Sequence, residues 1–154
     1  MKKISTLLII HKNNQILLGM KKRGFGEGKW NGFGGKLQEN ESIQSAAIRE
    51  TMEEANIEPL NISKRAVFNF MFEGDSDILE VHLFTTDQYD GEPIETEEMR
   101  PKWFNVSDIP FSLMWPDDKH WMPLLLQGKN FQGDFYFKDD KTMLCHWLSE
   151  LDKI

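Results

Sequence analysis

Glu50, Glu53 and Glu54 stand three and four residues apart, a spacing that brings their carboxylates to one side of a helix. Like charges so placed oppose the helix by roughly 0.2–0.5 kcal/mol per pair. The cluster therefore calls for a cation, and a divalent metal is the natural one. Mg²⁺ takes oxygen ligands in near-octahedral geometry and is usually held by a few carboxylates together with substrate phosphate oxygens. The segment Gly32-Phe33-Gly34-Gly35-Lys36 comes just before, and a glycine carbonyl there suits the remaining coordination while its N–H groups and Lys36 suit phosphate. Two familiar phosphate loops are excluded: Lys36 is followed by Leu37, and Gly24, Gly26 and Gly28 lack the dinucleotide spacing and its helix. Without further context, Glu50-Thr51-Met52-Glu53-Glu54 also reads as an ordinary solvated helix face.

The elements that must position these groups are legible in outline. Ser5–Ile10 and Gln15–Met20 are apolar runs around the turn His11–Asn14, which predicts an antiparallel strand pair. Lys21–Lys36 holds six glycines and reads as a loop. From Ser42 to about Ala55 the period becomes helical, with Ala47, Ile48, Thr51 and Ala55 apolar and the carboxylates turned away from the core. Asn56 suits the left-handed terminator. Val67–Phe72 and Ile78–Tyr89 predict a second strand pair, Lys102–Asn105 a short strand, and Phe135–Lys138 with Thr142–Ser149 a third pair. Pro116 at a first helical position, followed by Asp117 and Asp118, predicts a helix through His120–Leu126. Strands with few helices imply an α+β fold, a mixed sheet between helices, spanning residues 1–154 as one domain.

Composition narrows the class. The chain has 154 residues, a net charge of −7 and 40% hydrophobic content. That balance disfavours a broad grip on a nucleic-acid polymer and leaves a small anionic substrate, met by metal and a few lysines. The apolar start stops at His11 without a cleavage site, no run is long enough to span a bilayer, and Cys145 is the sole cysteine. These features predict a monomer in a reducing, cytoplasmic setting, with nuclear or mitochondrial pools also open, and no membrane partner.

Gly35, Glu41, Arg49, Glu50, Glu53 and Glu54 together resemble the signature of the Nudix hydrolases, with Thr51 where an aliphatic residue is usual and Asn56 where glycine is usual. The resemblance implies the Nudix fold and hydrolysis of a nucleoside diphosphate linked to another group, with Mg²⁺ or Mn²⁺. It implies Glu53 and Glu54 as the main metal ligands, with Glu50 and a carbonyl of Gly34 or Gly35 contributing. It makes Arg49 an orienter of Glu41 or Glu50 rather than a phosphate ligand.

Further stretches are similar to the branch of that family acting on oxidised purine nucleoside triphosphates: Gly19–Gly26, Lys29–Lys36, Met99-Arg100-Pro101 and Met114–Asp118. That likeness implies base recognition by Asn31, Asp117 and Asp118, with Thr6 and Lys21 lining the pocket. Phe25, Phe70, Phe72, Met99 and Trp115 are candidates for its walls; Phe33, Gly34, Gly35, Lys36 and Pro116 complete the substrate side. Oxidation at C8 of guanine turns N7 from acceptor to donor, so adjacent acids in different protonation states could read more than one oxidised purine. Phe70 and Phe72 read equally as core, and Asp117-Asp118 as helix-start acids.

The implied reaction is attack of water on a phosphorus of 8-oxo-dGTP or 2-oxo-dATP, releasing the monophosphate and pyrophosphate and so sanitising the nucleotide pool. Glu54 is one candidate for the proton; Glu98, in the acidic run Glu95–Glu98, is a second, and also a candidate ligand. Two alternatives stand: a Nudix hydrolase of another modified purine nucleotide or dinucleotide, and a silent nucleotide-binding module.

Overall fold

The computed structural model describes residues 1–154. Its centre is β1 (Lys2–Lys12), where Leu7 and Ile9 enter one buried cluster and Leu8 and Ile10 another. Successive side chains of a strand face opposite ways, so an unbroken apolar run is what a strand covered on both sides requires. β2 (Gln15–Lys21) returns antiparallel through Asn13 and Asn14, both left-handed at φ 53° and 61°. That is the geometry of a tight hairpin, and asparagine tolerates it well.

The remaining strands are β3 (Trp30–Asn31), β4 (Glu58–Leu60), β5 (Ser63–Phe72), β6 (Ile78–Thr86), β7 (Gln88–Asp90), β8 (Met99–Asn105), β9 (Asn130–Phe137) and β10 (Met143–Leu151). The main sheet runs β10-β9-β5-β6-β1-β2-β3, and β8 also pairs with β2. Pairs β1–β6 and β5–β9 are parallel, the others antiparallel, so the sheet is mixed as predicted. The single run expected over Ile78–Tyr89 is two strands. Its end, β7, leaves the main sheet and pairs with β4, which sequence reasoning missed.

Helix α1 (Ile43–Ala55) begins at Ser42, whose hydroxyl accepts from Ser45 N, and ends at Asn56 with φ 61°. Both caps match their residue types. Its buried Ala47 and Ala55 pack with Leu8, Ile10, Leu17, Phe33 and Phe84 on one face of the sheet. The hydroxyl of buried Thr51 donates to Ala47 O at 2.8 Å, so the departure from an aliphatic residue leaves no polar group unmet. Helix α2 (Asp118–Leu126) covers the opposite face with Trp121, Met122 and Leu125. There Phe68 meets Trp121, Phe131 and Phe135 with ring centroids 5.1, 5.7 and 5.5 Å away. Pro116 is not the first helical residue; it precedes Asp117, and the helix starts at Asp118. Neither helix is long and apolar enough to cross a membrane.

One irregularity makes room for a site. β1 and β2 pair only where Ile10–Lys12 meets Gln15–Leu17, then separate. Residues 33–36 enter the gap and bond to β1, with Phe33 N to Leu8 O at 3.0 Å and Thr6 N to Gly35 O at 2.9 Å. β2 meanwhile turns to β3 and β8.

Candidate active site

The inserted segment needs glycine where it touches its neighbours. A Cβ on Gly34 would lie 1.9 Å from Thr6 O, and one on Gly35 would lie 2.6–2.9 Å from the Glu50 carboxyl atoms. A side chain on Gly34 would run into β1 backbone, and one on Gly35 would displace the Glu50 carboxylate, so the segment lies tightly against both strand and helix.

This close approach buries Glu54. Its side chain is taken from water by the glycine segment, and Oε1 accepts from Gly34 N at 2.8 Å. The expectation that all three carboxylates face away from the core is thus corrected: Glu54 is 3% exposed, Glu50 half-buried, and only Glu53 lies in solvent. Burial pushes the Glu54 carboxyl up to about 8 against the pull of Gly34 N and of Lys21, whose Nζ lies 3.9 Å from Oε2. Burial also raises Glu50, outweighing its bond from Arg49.

Arg49 is fully occupied. Its Nε and Nη2 hold Glu41 at 2.7 and 2.9 Å, Nη2 reaches Lys36 O at 3.2 Å, and Nη1 reaches Glu50 at 2.9 Å and Glu53 at 3.3 Å. The planar fork joins helix, glycine segment and Glu41 in one arrangement, leaving no donor turned to a substrate. Arg49 in turn holds the Glu41 carboxyl down to about 2.

A cleft of about 310 Å³ runs from Glu54, Gly34, Gly35 and Lys36 past Thr6, Lys21 and Asn31 to Trp115, Asp117 and Asp118. Phe25, Phe70, Phe72 and Met99 line it as well. Asn31 Oδ1 accepts from Gly32 N at 2.8 Å, so its amide donors are the atoms free for a ligand. At the closed end Asp117 Oδ2 accepts from Trp121 Nε1 at 2.7 Å, while buried Asp118 Oδ2 has no partner. Burial raises both carboxyls above the usual range, and the charge of Asp117 raises Asp118 further. An acid lining the cleft with an oxygen that has no partner, beside a second acid bonded to Trp121, suits the polar edge of a flat base.

Two expected substrate residues are not brought to the cleft. Phe33 is fully buried against Leu8, Leu17 and Ala47, because its neighbours Gly32 and Gly34 lie against β1 and its own side chain turns to the core. Pro116 is outside the lining, serving the turn before α2. Arg49, Glu50, Glu53 and Glu98 lie outside it too, leaving Glu54 as the one expected metal-binding carboxylate on its wall. Glu98 is held by Arg23 Nη2 at 2.6 Å and Nε at 3.1 Å, which keeps its carboxyl below the usual range. Phe137, Leu79 and Val81 line the cleft without having been foreseen. Phe137 arrives through the parallel β5–β9 register that sets it opposite Phe72, and no local motif announces that pairing.

A family model described as the NUDIX domain matches residues 1–125. The chain belongs to the Nudix family. The oxidized purine nucleoside triphosphate hydrolase of Mus musculus is 47% identical over 150 residues, covering 97% of this chain and 96% of that protein. The protein of the same description from Danio rerio is 47% identical over 152 residues, covering 99% and 97%. Among solved structures, a MutT protein from Bacillus halodurans aligns with a TM-score of 0.85 and 25% identity, covering 96% of this Nudix chain and 97% of its own.

Nudix hydrolases generally use divalent metal ions, and the residues here fit one. No three acidic, histidine or cysteine side chains form a ready-made cage, which suits a metal held partly by substrate phosphates. The Lys21 ammonium, 3.9 Å from Glu54, does not offset the burial of that carboxyl, and the Glu50 carboxyl lies against Gly35 of the same segment. A cation between them would offset the desolvation both carry.

Proposed function

We propose that this Nudix enzyme hydrolyses oxidised purine nucleoside triphosphates, such as 8-oxo-dGTP and 2-oxo-dATP, to the monophosphate and pyrophosphate. The observation that carries this reading is a single cleft bearing the Glu54–glycine end and the buried Asp117–Asp118 end together. The near-full-length likeness to two proteins described as oxidized purine nucleoside triphosphate hydrolases supports the substrate class.

The polyphosphate lies along Gly34, Gly35 and Lys36, with Lys21 adding charge beside Glu54. Glu50, Glu53 and Glu54, with the Gly34 carbonyl, would hold Mg²⁺ or Mn²⁺; the Gly35 carbonyl is already taken by Thr6 N. Such an ion, when bound, would neutralise charge developing on the phosphate oxygens and acidify a bound water. Arg49 fixes Glu50 and Glu53 beforehand, and Glu54, on the cleft wall, is better placed than Arg23-bound Glu98 to take the proton of the attacking water. At the other end the purine stacks among Phe72, Trp115 and Phe25. Its edge meets Asn31, Asp117 and Asp118, and burial favours the neutral form of Asp118, which can donate where a carboxylate only accepts.

Pyrophosphate release from 8-oxo-dGTP and dGTP, with and without Mg²⁺, tests the proposal. Fast, metal-dependent release from the oxidised nucleotide is expected. Equal turnover of both removes the sanitising role, and no turnover of either leaves a silent nucleotide-binding module.

A further inference from the structure

The turn Glu95–Met99 contains a joint that the reaction scheme does not use. The last carbonyls of α1 have no partner within the helix and must find one outside. Thr96 Oγ1 donates to Glu54 O at 2.9 Å, and Ile94 N donates to Ala55 O at 3.2 Å. The same hydroxyl accepts from Glu98 N and Met99 N, each at 3.2 Å. One side chain thus sets both the end of the helix that carries Glu54 and the shape of the turn.

The turn in turn clasps the segment after β2. Lys22 N donates to Glu98 O at 2.9 Å, and Lys22 Nζ reaches Glu95 at 2.6 Å and Thr96 O at 2.8 Å. Arg23 binds the Glu98 carboxylate through two nitrogens, at 2.6 and 3.1 Å. Lys21 Nζ lies between Glu54 Oε2 and Glu98 Oε2, at 3.9 and 4.0 Å. Two residues on from Arg23, Phe25 is 70% exposed yet rests on Trp115 and Phe72, with centroids 5.0 and 6.0 Å away.

We infer that Thr96 is a positioning residue whose hydroxyl couples the Glu54 end of α1 to the Lys21–Gly28 segment that covers the base end of the cleft. A chain of packed and hydrogen-bonded groups can carry such coupling, and its demonstration requires a response at the far end. The inference rests on the proposed activity only for its kinetic consequence. A residue that merely caps the helix would change stability without changing the distant segment.

Amide hydrogen exchange of the full metal-free chain reads the relay directly at Lys22 N, Gly28 N and Lys29 N, which bond to Glu98 O, Lys21 O and Gly26 O. Thr96→Val is expected to speed exchange there on the order of tenfold. A similar fall in kcat/KM for 8-oxo-dGTP with Mg²⁺ is expected, and Thr96→Ser restores both. Asn56→Ala loosens the same helix end without touching the turn and is expected to leave those amides at the wild-type rate. Arg23→Gln severs the outer link at an exposed side chain, with no core contact at risk, and is expected to speed the same amides. Unchanged exchange in Thr96→Val or in Arg23→Gln overturns the relay, as does equal acceleration in Asn56→Ala. A wild-type protein that releases no pyrophosphate overturns the activity while the exchange result still decides the relay.

Discussion

Replacing Glu54 by glutamine is expected to stabilise the metal-free protein while removing its activity. Glu54 has an ordinary carboxyl value of 4.5 and is pushed up to about 8 in the fold, chiefly by burial. A raised acid binds its proton more tightly in the folded state, so stability is fully present below 4.5 and is lost as pH rises toward 8. Each pKa unit is worth about 1.4 kcal/mol, so keeping this carboxyl in the fold at pH 7 costs about 3 kcal/mol. Glutamine keeps the acceptor for Gly34 N and carries no charge to desolvate. Urea unfolding in the presence of a chelator, from pH 5 to 8, gives the assay. The variant should lead by about 1 kcal/mol or less at pH 5 and by about 3 kcal/mol at pH 7. Glu50, Asp117 and Asp118 remain in both proteins, so the difference curve isolates Glu54. Excess Mg²⁺ should close the gap by stabilising the wild type alone. A difference that stays flat across this range would refute the reasoning.

Asp118→Asn is expected to lower kcat/KM for 8-oxo-dGTP about a hundredfold while changing dGTP much less, because it fixes one donor and acceptor pattern at the closed end; competition between the two substrates measures it. Gly34→Ala sets a methyl against the Thr6 carbonyl, 1.9 Å from its oxygen. It should cost about 3 kcal/mol or more in urea unfolding, since backbone on both sides must shift. Arg49→Lys keeps the charge but cannot join Glu41, Glu50, Glu53 and Lys36 O at once. Mg²⁺ affinity by calorimetry should fall roughly 10–100-fold.

Helix α1 was legible because everything that defines it is local. Ser42 and Asn56 are its caps and Ala47, Thr51 and Ala55 its inner stripe, all within reach of the helix itself. The first hairpin was legible for the same reason, its asparagines lying between two apolar runs. The depth of Glu54 was not, because its cover comes from Gly34, on a segment held by β1 rather than by the helix. Phe33 was misplaced by the same insertion, which turns it to the core. Phe137 and the short β4–β7 pair depend on register between remote segments, which residue pattern does not carry. The acids at 117 and 118 were identified by type and resemblance, but their enclosure depends on Trp121 and the aromatic cluster that α2 covers.

The parting of β1 from β2 divides the labour of the cleft between two materials. The end proposed for phosphate is laid out by main chain inserted beside β1, so few single substitutions can retune it without disturbing the strands themselves. The base end is furnished by side chains from α2, β5 and the segment around Phe25, which can be exchanged one at a time. A descendant of this scaffold could acquire a taste for a different nucleobase while inheriting its handling of the triphosphate intact.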